Sequence, residues 1–186
     1  MALLFVITGP SGVGKGTLIT RVRERVPELE LSVSATTRHP RPGERDGVEY
    51  HFLTAQQFQA HADAGDFVEH ATYSGNRYGT LRSEVDGRLR DGRPVILEIE
   101  VQGARQIRQA LPEAVAVFIA PPSREALRER LLARGTDDPE QVEARLRTAE
   151  RELEAQPEFS HVVVNDDVDR AADELGGIVR TALGGR

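Results

Sequence analysis

The chain has 186 residues and a formal net charge of −6, a length that suits one compact domain of roughly 100–200 residues. Its 39% hydrophobic and 29% charged residues exclude disordered, collagen-like and coiled-coil classes, and the absence of cysteine excludes a disulfide scaffold, a cysteine-ligated zinc site and thiol chemistry. Because no apolar run approaches a membrane span, no basic segment precedes the first run, and the charge balance is acidic, we expect a cytoplasmic protein without membrane or nucleic-acid partners.

The first predicted elements are a strand, a glycine-rich loop and a helix. Leu3–Thr8 is a short apolar run that stops at Gly9-Pro10, which favours a buried strand over a helix. The loop covers Gly9–Gly16, and Thr17–Val26 then carries apolar side chains at helical spacing until Pro27. This order is typical of the opening unit of an α/β sheet.

The next segment, residues 34–80, is predicted to be an inserted lobe that carries a ligand. Leu31–Val33 is expected to form a short strand before it, and Thr36–Gly47 is too polar and too rich in proline for a core element. Its other predicted elements are a strand at Tyr50–Leu53, a helix at Thr54–Ala64 with a capping box formed by Thr54 and Gln57, a strand at Phe67–Tyr73 and a loop at Tyr73–Thr80.

The remaining residues alternate between helices and continuous apolar strands. The predicted helices are Ser83–Arg90, Gln102–Leu111, Ser123–Arg134 with Ser123 as N-cap, a helix capped by Asp138 that runs to about Ala155, and Asp167–Leu183. The predicted strands are Pro94–Glu100, Val115–Ala120 and His161–Val164. This alternation predicts a parallel sheet covered by helices on both faces. We expect a single domain whose core comprises residues 1–33, 81–125 and 156–186.

A phosphate-binding loop is predicted between the first strand and the first helix. Gly9–Lys15 matches the spacing G-x-x-x-x-G-K, in which glycines let backbone N–H groups point at a phosphate and the helix start adds its positive dipole end. Of the 24 basic residues, Lys15 is the only lysine. Because lysine gives a compact point charge where arginine gives a planar fork, we assign Lys15 to the β- and γ-phosphates.

The position after Lys15, which in many such loops holds a serine or threonine that contacts Mg²⁺, is Gly16, followed by Thr17. This G-K-G-T sequence resembles the loop of adenylate kinases. We therefore expect phosphate oxygens and water to hold Mg²⁺, with no strong protein ligand and with Glu98 or Glu100 contacting it through water. We place these two glutamates on opposite sides of the strand end, in different roles.

A second anion site is predicted in the inserted lobe. Three arginines lie in its polar loop: Arg38, Arg41 and Arg45. Arginine forks suit a second phosphate, and Tyr50 and Tyr78 carry hydroxyl groups that could donate to the same anion. Glu69, in an otherwise apolar stretch, could accept two parallel donors from a planar ring. A solvated charged loop and a solvated strand edge are the structural alternatives.

Together these segments resemble the guanylate kinases of bacterial type, within the nucleoside monophosphate kinase group of the P-loop NTPases. The resemblance rests on blocks that run in order from about residue 3 to residue 183: G-P-S-G-V-G-K-G-T at Gly9–Thr17, S-A-T-T-R-H-P-R-P-G-E at Ser34–Glu44, G-V-E-Y-H-F at Gly47–Phe52, F-V-E-H-A at Phe67–Ala71, G-N-R-Y-G-T at Gly75–Thr80, L-E-I-E-V-Q-G-A at Leu97–Ala104, R-L-L-A-R-G-T at Arg130–Thr136 and V-V-N-D-D at Val163–Asp167. The first block is shared by a whole superfamily, whereas the second and fifth together are specific to this family.

The resemblance implies an enzyme that transfers a phosphoryl group from MgATP to GMP, giving ADP and GDP, in purine nucleotide metabolism and GMP recycling. It implies that ATP is bound by Gly9, Pro10, Ser11, Gly12, Val13, Gly14, Lys15, Gly16, Thr17 and Arg130, and we place Asn165 on the adenine side. It implies that the GMP phosphate is bound by Arg38, Arg41, Tyr50 and Tyr78, that Glu44 supports their loop, that Ser34, Glu69 and Thr80 read the guanine, and that Glu98 also lies at the GMP site. Gly16 departs from the serine frequent in the family, and Glu98 and Glu100 depart from its frequent aspartates.

A lid is predicted at about residues 126–155. Arg130 and Arg134 lie four residues apart on one helix face, and Gly135 is expected to act as a hinge. In the next helix, Arg145 flanks the apolar stripe and can turn toward the protein. This arrangement resembles the lid of nucleotide kinases, in which Arg134 and Arg145 would neutralise charge on the transferring phosphoryl group. Ordinary surface pairing with glutamates is the alternative.

Two other functions stay open at this point. One is a nucleoside monophosphate kinase with another acceptor base, and the other is a non-catalytic guanylate-kinase-like module that binds phosphorylated peptides. Lys15 and Arg134 argue against the module, since peptide binding needs neither side chain. A GTPase switch is disfavoured because the chain has no N-K-x-D motif. The sequence leaves self-association undetermined.

Overall fold

The computed structural model describes residues 3–133 and 139–184. In these ranges the strands are β1 (Leu4–Thr8), β2 (Glu30–Leu31), β3 (Ala35–Thr36), β4 (His51–Phe52), β5 (Phe67–Tyr73), β6 (Asn76–Leu81), β7 (Val95–Glu98), β8 (Val115–Ala120) and β9 (His161–Val164). The α-helices are α1 (Lys15–Arg25), α2 (Ala55–Ala64), α3 (Arg82–Arg90), α4 (Val101–Ala110), α5 (Arg124–Ala133), α6 (Pro139–Leu153) and α7 (Val168–Gly184). The predicted cap Asp138 lies outside the described residues.

The main sheet has the strand order β2-β7-β1-β8-β9, and every neighbouring pair in it is parallel. Alternate side chains of β1 enter two separate cores, because Phe5 and Ile7 pack under α1, α5, α6 and α7 while Leu4 and Val6 pack under α3 and α4. Burial on both faces explains the continuous apolar strands. The predicted α/β class, with a parallel sheet covered on both faces, is therefore confirmed.

A second, smaller sheet has the order β4-β3-β6-β5. Helix α2 covers it with Phe58, whose ring stacks on Phe67 at 4.5 Å between centroids. Thr54 and Gln57 form the predicted capping box at the start of α2, with the Thr54 hydroxyl accepting from the Gln57 N–H.

The prediction of a loop at Tyr73–Thr80 is wrong, because Asn76–Leu81 forms strand β6. Tyr73 pairs with Asn76 across a two-residue turn in which Ser74 and Gly75 both have positive φ, at 47° and 77°. The Asn and Gly residues of this segment are typical of turns. They form a strand because β6 pairs with β5 on one side and with β3 on the other.

In the part of the chain that the structure describes, none of the helices has both the length and the apolar character that crossing a bilayer requires.

Candidate functional site

The glycine-rich loop joins the end of β1 to the start of α1, at the carboxyl edge of the main sheet. Gly9 has a φ of 140°, and a methyl group on it would overlap the backbone oxygen of Ile119 in β8. Gly14 has a φ of 95°, and a methyl group there would lie 2.7 Å from the side-chain nitrogen of Asn165. Other residues are therefore excluded at both positions by backbone conformation and by space.

Two side chains from the far end of the chain hold this loop. Asn165, which is buried after β9, donates its amide Nδ2 to the Val13 carbonyl at 2.7 Å. Arg130 of α5 donates to the same carbonyl at 3.2 Å and to the Asn165 carbonyl at 2.8 Å. Both of these predicted ATP-binding residues thus donate side-chain hydrogen bonds to the backbone of the loop.

Lys15 is the first residue of α1 and lies across the mouth of the loop. Its Nζ donates to the Gly9 carbonyl at 2.7 Å and to the Pro10 carbonyl at 3.3 Å. Lys15 lines both cavities that open beside the loop, and Arg145 of α6 lines the larger of them. Arg134 and Gly135, predicted for the lid, lie outside the described residues.

A continuous cleft separates the loop from the second sheet. Its outer cavity, about 490 Å³ in volume, is within the range of roughly 300–1,000 Å³ found for small-molecule sites. Cationic side chains line the outer cavity: Lys15 of the loop, Arg145 of α6, and Arg38 and Arg41 of the segment after β3. The inner cavity continues from Lys15 to Glu69 and Ser34.

The arginines on the second-sheet side are positioned by a carboxylate and by aromatic rings. Arg38 donates to both oxygens of Glu44, at 2.9 and 3.0 Å, and the backbone N–H of Arg41 donates to Glu44 at 2.7 Å. The guanidinium of Arg38 lies 5.2 Å from the centre of the Tyr50 ring, and Tyr50 meets Tyr78 edge-on. The Arg38 guanidinium holds the pKa of Glu44 below its ordinary value, so Glu44 is an anion committed to this loop. Arg45, by contrast, is exposed and pairs with Glu49.

Glu69 lies at the inner end of the cleft, with only 4% of its surface exposed. The hydroxyl group of Thr80, which is fully buried, donates to Glu69 Oε1 at 2.8 Å. Burial raises the pKa of Glu69 to about 7. The hydrogen bonds from Thr80 oppose this shift, because they stabilise the ionised carboxylate. The remaining lone pairs of the carboxylate make Glu69 an acceptor for donors that enter the inner cavity.

Glu98 and Glu100 both line the inner cavity and the outer cavity. The prediction that they lie on opposite sides of the strand end is therefore wrong. Strand alternation places side chains two residues apart on the same face, not on opposite faces. Glu98 is the last residue of β7, and Glu100 follows two residues later. A methyl group on Gly16 would lie 3.4 Å from Glu98 Oε2, so Glu98 reaches the position that a serine in the loop would occupy. Burial, followed by the Glu69 charge, raises the pKa of Glu100 to about 7.

Tyr73 and Glu152 are among the cleft residues that the sequence analysis missed. Tyr73, assigned there to a strand end, lines both cavities, and burial raises its pKa to about 12. Glu152 of α6 accepts a hydrogen bond from the Ser11 N–H at 3.3 Å, and burial raises its pKa although Lys15 opposes the shift. The signal for Glu152 was its spacing, because it lies seven residues after Arg145 and so on the same helix face.

The cleft therefore presents cations in two places and acceptors in a third. Lys15 and the loop N–H groups suit one phosphate chain, and Arg38 and Arg41 suit a second phosphate. Glu69 suits a ring that carries hydrogen-bond donors. Such an arrangement suits two anionic ligands whose phosphates meet in the outer cavity.

Comparisons with known proteins give one family. The family model described as guanylate kinase matches residues 1–182. The guanylate kinase of Synechococcus sp. (strain CC9311) is 54% identical over 170 residues, which cover 91% of this chain and 90% of the relative. That of Frankia casuarinae is 55% identical over 172 residues, which cover 92% and 94%. The crystal structure of guanylate kinase from Anaplasma phagocytophilum superposes with a TM-score of 0.81 at 30% identity, over 98% of this chain and 87% of that chain.

Proposed function

This chain belongs to the guanylate kinase family and transfers a phosphoryl group from ATP to GMP, and we propose that the cleft between its two sheets carries both substrates. The observation that supports this site is that one cavity is lined by both Lys15 and Glu69. A phosphate-binding lysine and a base-reading carboxylate thus share one space. The products are ADP and GDP, and the setting is the recycling of GMP in cytoplasmic purine nucleotide metabolism.

At the donor end, we assign the ATP phosphates to the loop Gly9–Thr17. Its backbone N–H groups and the N-terminal end of α1 face the phosphates, and Lys15 reaches the β- and γ-phosphates. Asn165 and Arg130 act through the loop, because their hydrogen bonds end on its carbonyl groups and on one another.

At the acceptor end, the GMP phosphate is bound by Arg38, Arg41, Tyr50 and Tyr78. Glu44 fixes the first two residues, through the Arg38 side chain and the Arg41 backbone. Deeper in the cleft, the guanine ring is read by Ser34 and Glu69, while Thr80, which lines neither cavity, holds Glu69 through its hydroxyl group. Guanine presents N1–H and an exocyclic amine as two parallel donors, which match the two oxygens of one carboxylate.

The reaction requires no covalent nucleophile on the protein. An oxygen of the GMP phosphate attacks the γ-phosphorus of ATP, and the bond from that phosphorus to the β–γ bridging oxygen breaks as ADP leaves. The chain's contribution is to align the two phosphates and to offset the charge that spreads over the transferred group. Lys15 does so from the loop, and Arg145 and Arg134 do so from the lid.

Mg²⁺ enters as part of the MgATP substrate. The loop lacks the usual hydroxyl side chain at Gly16, and Glu98 reaches that position instead, with its Oε2 3.4 Å from where a methyl group on Gly16 would lie. Carboxylate oxygens bound through water suit Mg²⁺, which keeps much of its hydration shell. We therefore assign the water-mediated contact to Glu98 rather than to Glu100.

The proposed function is tested by measuring ADP formation from MgATP with GMP, AMP, UMP and CMP in turn. We expect rapid turnover with GMP and rates lower by on the order of 10³-fold or more with the other three acceptors. A preference for another nucleotide would reassign the acceptor site. ADP formation with none of them, in protein that binds GMP, would favour a non-catalytic module.

We also propose that residues 34–80 act as an acceptor lobe and residues 126–155 as a lid, each closing on the core. Water in the site would compete with GMP for the phosphoryl group, so both nucleotides must be enclosed before transfer. The chain enters the acceptor lobe near Ser34 and leaves it after Thr80, and these positions are the proposed hinges, together with Gly135.

Closure predicts a smaller radius of gyration when both sites are filled. Solution X-ray scattering with a bisubstrate dinucleotide, in which adenosine and guanosine are joined through phosphates, is expected to show a decrease. ADP alone should give a smaller decrease, because it leaves the acceptor lobe without a ligand. An unchanged radius, with the dinucleotide shown to be bound, would count against closure.

A further inference from the structure

Helix α4 lies along the outer edge of the second sheet, directly beside Glu69. The edge strand β5 would otherwise present unpaired backbone groups. Gln106 of α4 satisfies those of His70, because its side-chain amide accepts from the His70 N–H at 3.2 Å and donates to the His70 carbonyl at 2.8 Å. This double hydrogen bond fixes how closely the helix approaches the strand.

Gly103 lies one turn before Gln106 on the same face of α4, and so opposite Glu69. A methyl group on Gly103 would overlap Glu69 Oε2 and lie 3.0 Å from Glu69 Cδ. Gly103 does not have a positive φ, so its backbone conformation is open to any residue. A glycine inside a helix weakens that helix relative to alanine. The need for space beside Glu69 is therefore what accounts for glycine at this position.

The overlapping atom is the end of a flexible side chain, so the protein can relieve the overlap by moving the carboxylate. The space for that movement is limited, since Glu69 is buried and its Oε1 is held by Thr80. A moved carboxylate presents its free lone pairs to the cavity in a different direction. A larger residue at Gly103 therefore impairs ligand recognition more than folding.

We propose that Gly103 is a positioning residue for base selection: by leaving α4 without a side chain, it sets the orientation in which Glu69 meets the acceptor base. The proposal rests on the assignment of Glu69 to guanine given above. It extends the base-reading site to a residue of the core helix that does not itself touch the base.

The test combines Gly103→Ala with Glu69→Ala, singly and together. We expect Gly103→Ala to lower kcat/KM for GMP at least about tenfold, the effect of losing one charged hydrogen bond, with the ATP KM within about twofold of wild type and the GMP-to-AMP preference reduced. In the Glu69→Ala background the same substitution should change kcat/KM for GMP less than about twofold, because the overlap is gone. Gly177→Ala is the matched control, since a methyl group at that α7 position meets no atom within 4 Å.

Melting temperatures separate positioning from a general packing defect. In the Glu69→Ala background, Gly103→Ala should raise the melting temperature, as alanine favours the helix. If Gly103→Ala alone fails to fold, recovery of folding in the double variant supports the contact with Glu69. Equal losses in both backgrounds, or wild-type GMP kinetics in Gly103→Ala, would overturn the proposal. Wild-type GMP kinetics in Glu69→Ala would instead remove the guanine assignment on which it rests.

Discussion

Replacing Lys15 with alanine is expected to lower kcat by on the order of 10³-fold while the protein stays folded. The ammonium group of Lys15 offsets charge at the β- and γ-phosphates, and a neutral methyl group offers nothing in its place. The side chain contributes little to the core, because among the described residues its Nζ donates to the loop carbonyls of Gly9 and Pro10. Steady-state turnover with MgATP and GMP measures the loss, and circular dichroism checks the fold.

Lys15→Arg is expected to restore kcat only in part, to on the order of one tenth of the wild-type value or less. The two carbonyl groups accept from a single nitrogen, at 2.7 and 3.3 Å, and a planar guanidinium spreads its charge over a wider fork. Arg21→Ala removes a positive charge from the exposed face of the same helix and should leave turnover unchanged. An arginine variant with nearly the wild-type rate would contradict the argument from the single lysine of this chain.

Replacing Glu69 with glutamine is expected to raise the GMP KM on the order of 10- to 100-fold, because a charge-assisted hydrogen bond contributes about 1.5–3 kcal/mol. The side-chain amide puts a donor where guanine also has a donor. The ATP KM should change little, and the preference for GMP over AMP should fall. Equal GMP kinetics in the two proteins would instead mean that Glu69 has only a structural role.

The same substitution is expected to stabilise the protein at high pH. Burial raises the pKa of Glu69 from an ordinary 4.5 to about 7, so between these values the folded protein holds a proton that the unfolded chain has released. The free energy of unfolding therefore falls as the pH rises through this interval. Glu69→Gln removes this loss and should gain on the order of 1–3 kcal/mol at about pH 8 but almost nothing at about pH 4.

Thermal unfolding of both proteins across this pH range measures the difference. Glu100 keeps its own raised pKa, so part of the pH dependence should survive in the variant. A difference in stability that is independent of pH would show that Glu69 is not buried as an ionisable group. Wild-type GMP binding should also strengthen as the pH rises through about 7, since only the ionised carboxylate accepts both guanine donors.

The fold was predictable where the sequence pattern is governed by burial. Phe67–Tyr73, Val115–Ala120 and His161–Val164 match observed strands residue for residue, because runs of apolar residues between turn signals have few alternatives. Strand β6 was not predictable in this way. Its residues become a strand only by pairing with two partners, one of which, β3, is about forty residues earlier in the chain.

The residues of the cleft also differ in whether a local sequence pattern predicts them. Lys15 was identified from a local spacing whose chemistry is specific, and Glu69 from a charge in an apolar stretch. The spacing of Glu152 from Arg145 indicates only a shared helix face, and Gly103 gave no local signal. The importance of both residues depends on what α6 and α4 pack against. Contacts between distant segments are what a single sequence reports least directly.

The phosphate loop is local in sequence, yet its shape depends on the whole chain. The Asn165 amide that holds Val13 is 152 positions away along the chain, and the guanidinium of Arg130 is 117 positions away. Forming contacts of such high sequence separation costs loop-closure entropy. A partly folded chain that has formed only β1 and α1 contains the glycine residues of the loop but lacks the contacts from Asn165 and Arg130 that hold the loop. A nucleotide that binds only the completed loop is therefore expected to slow unfolding and to leave the folding rate unchanged.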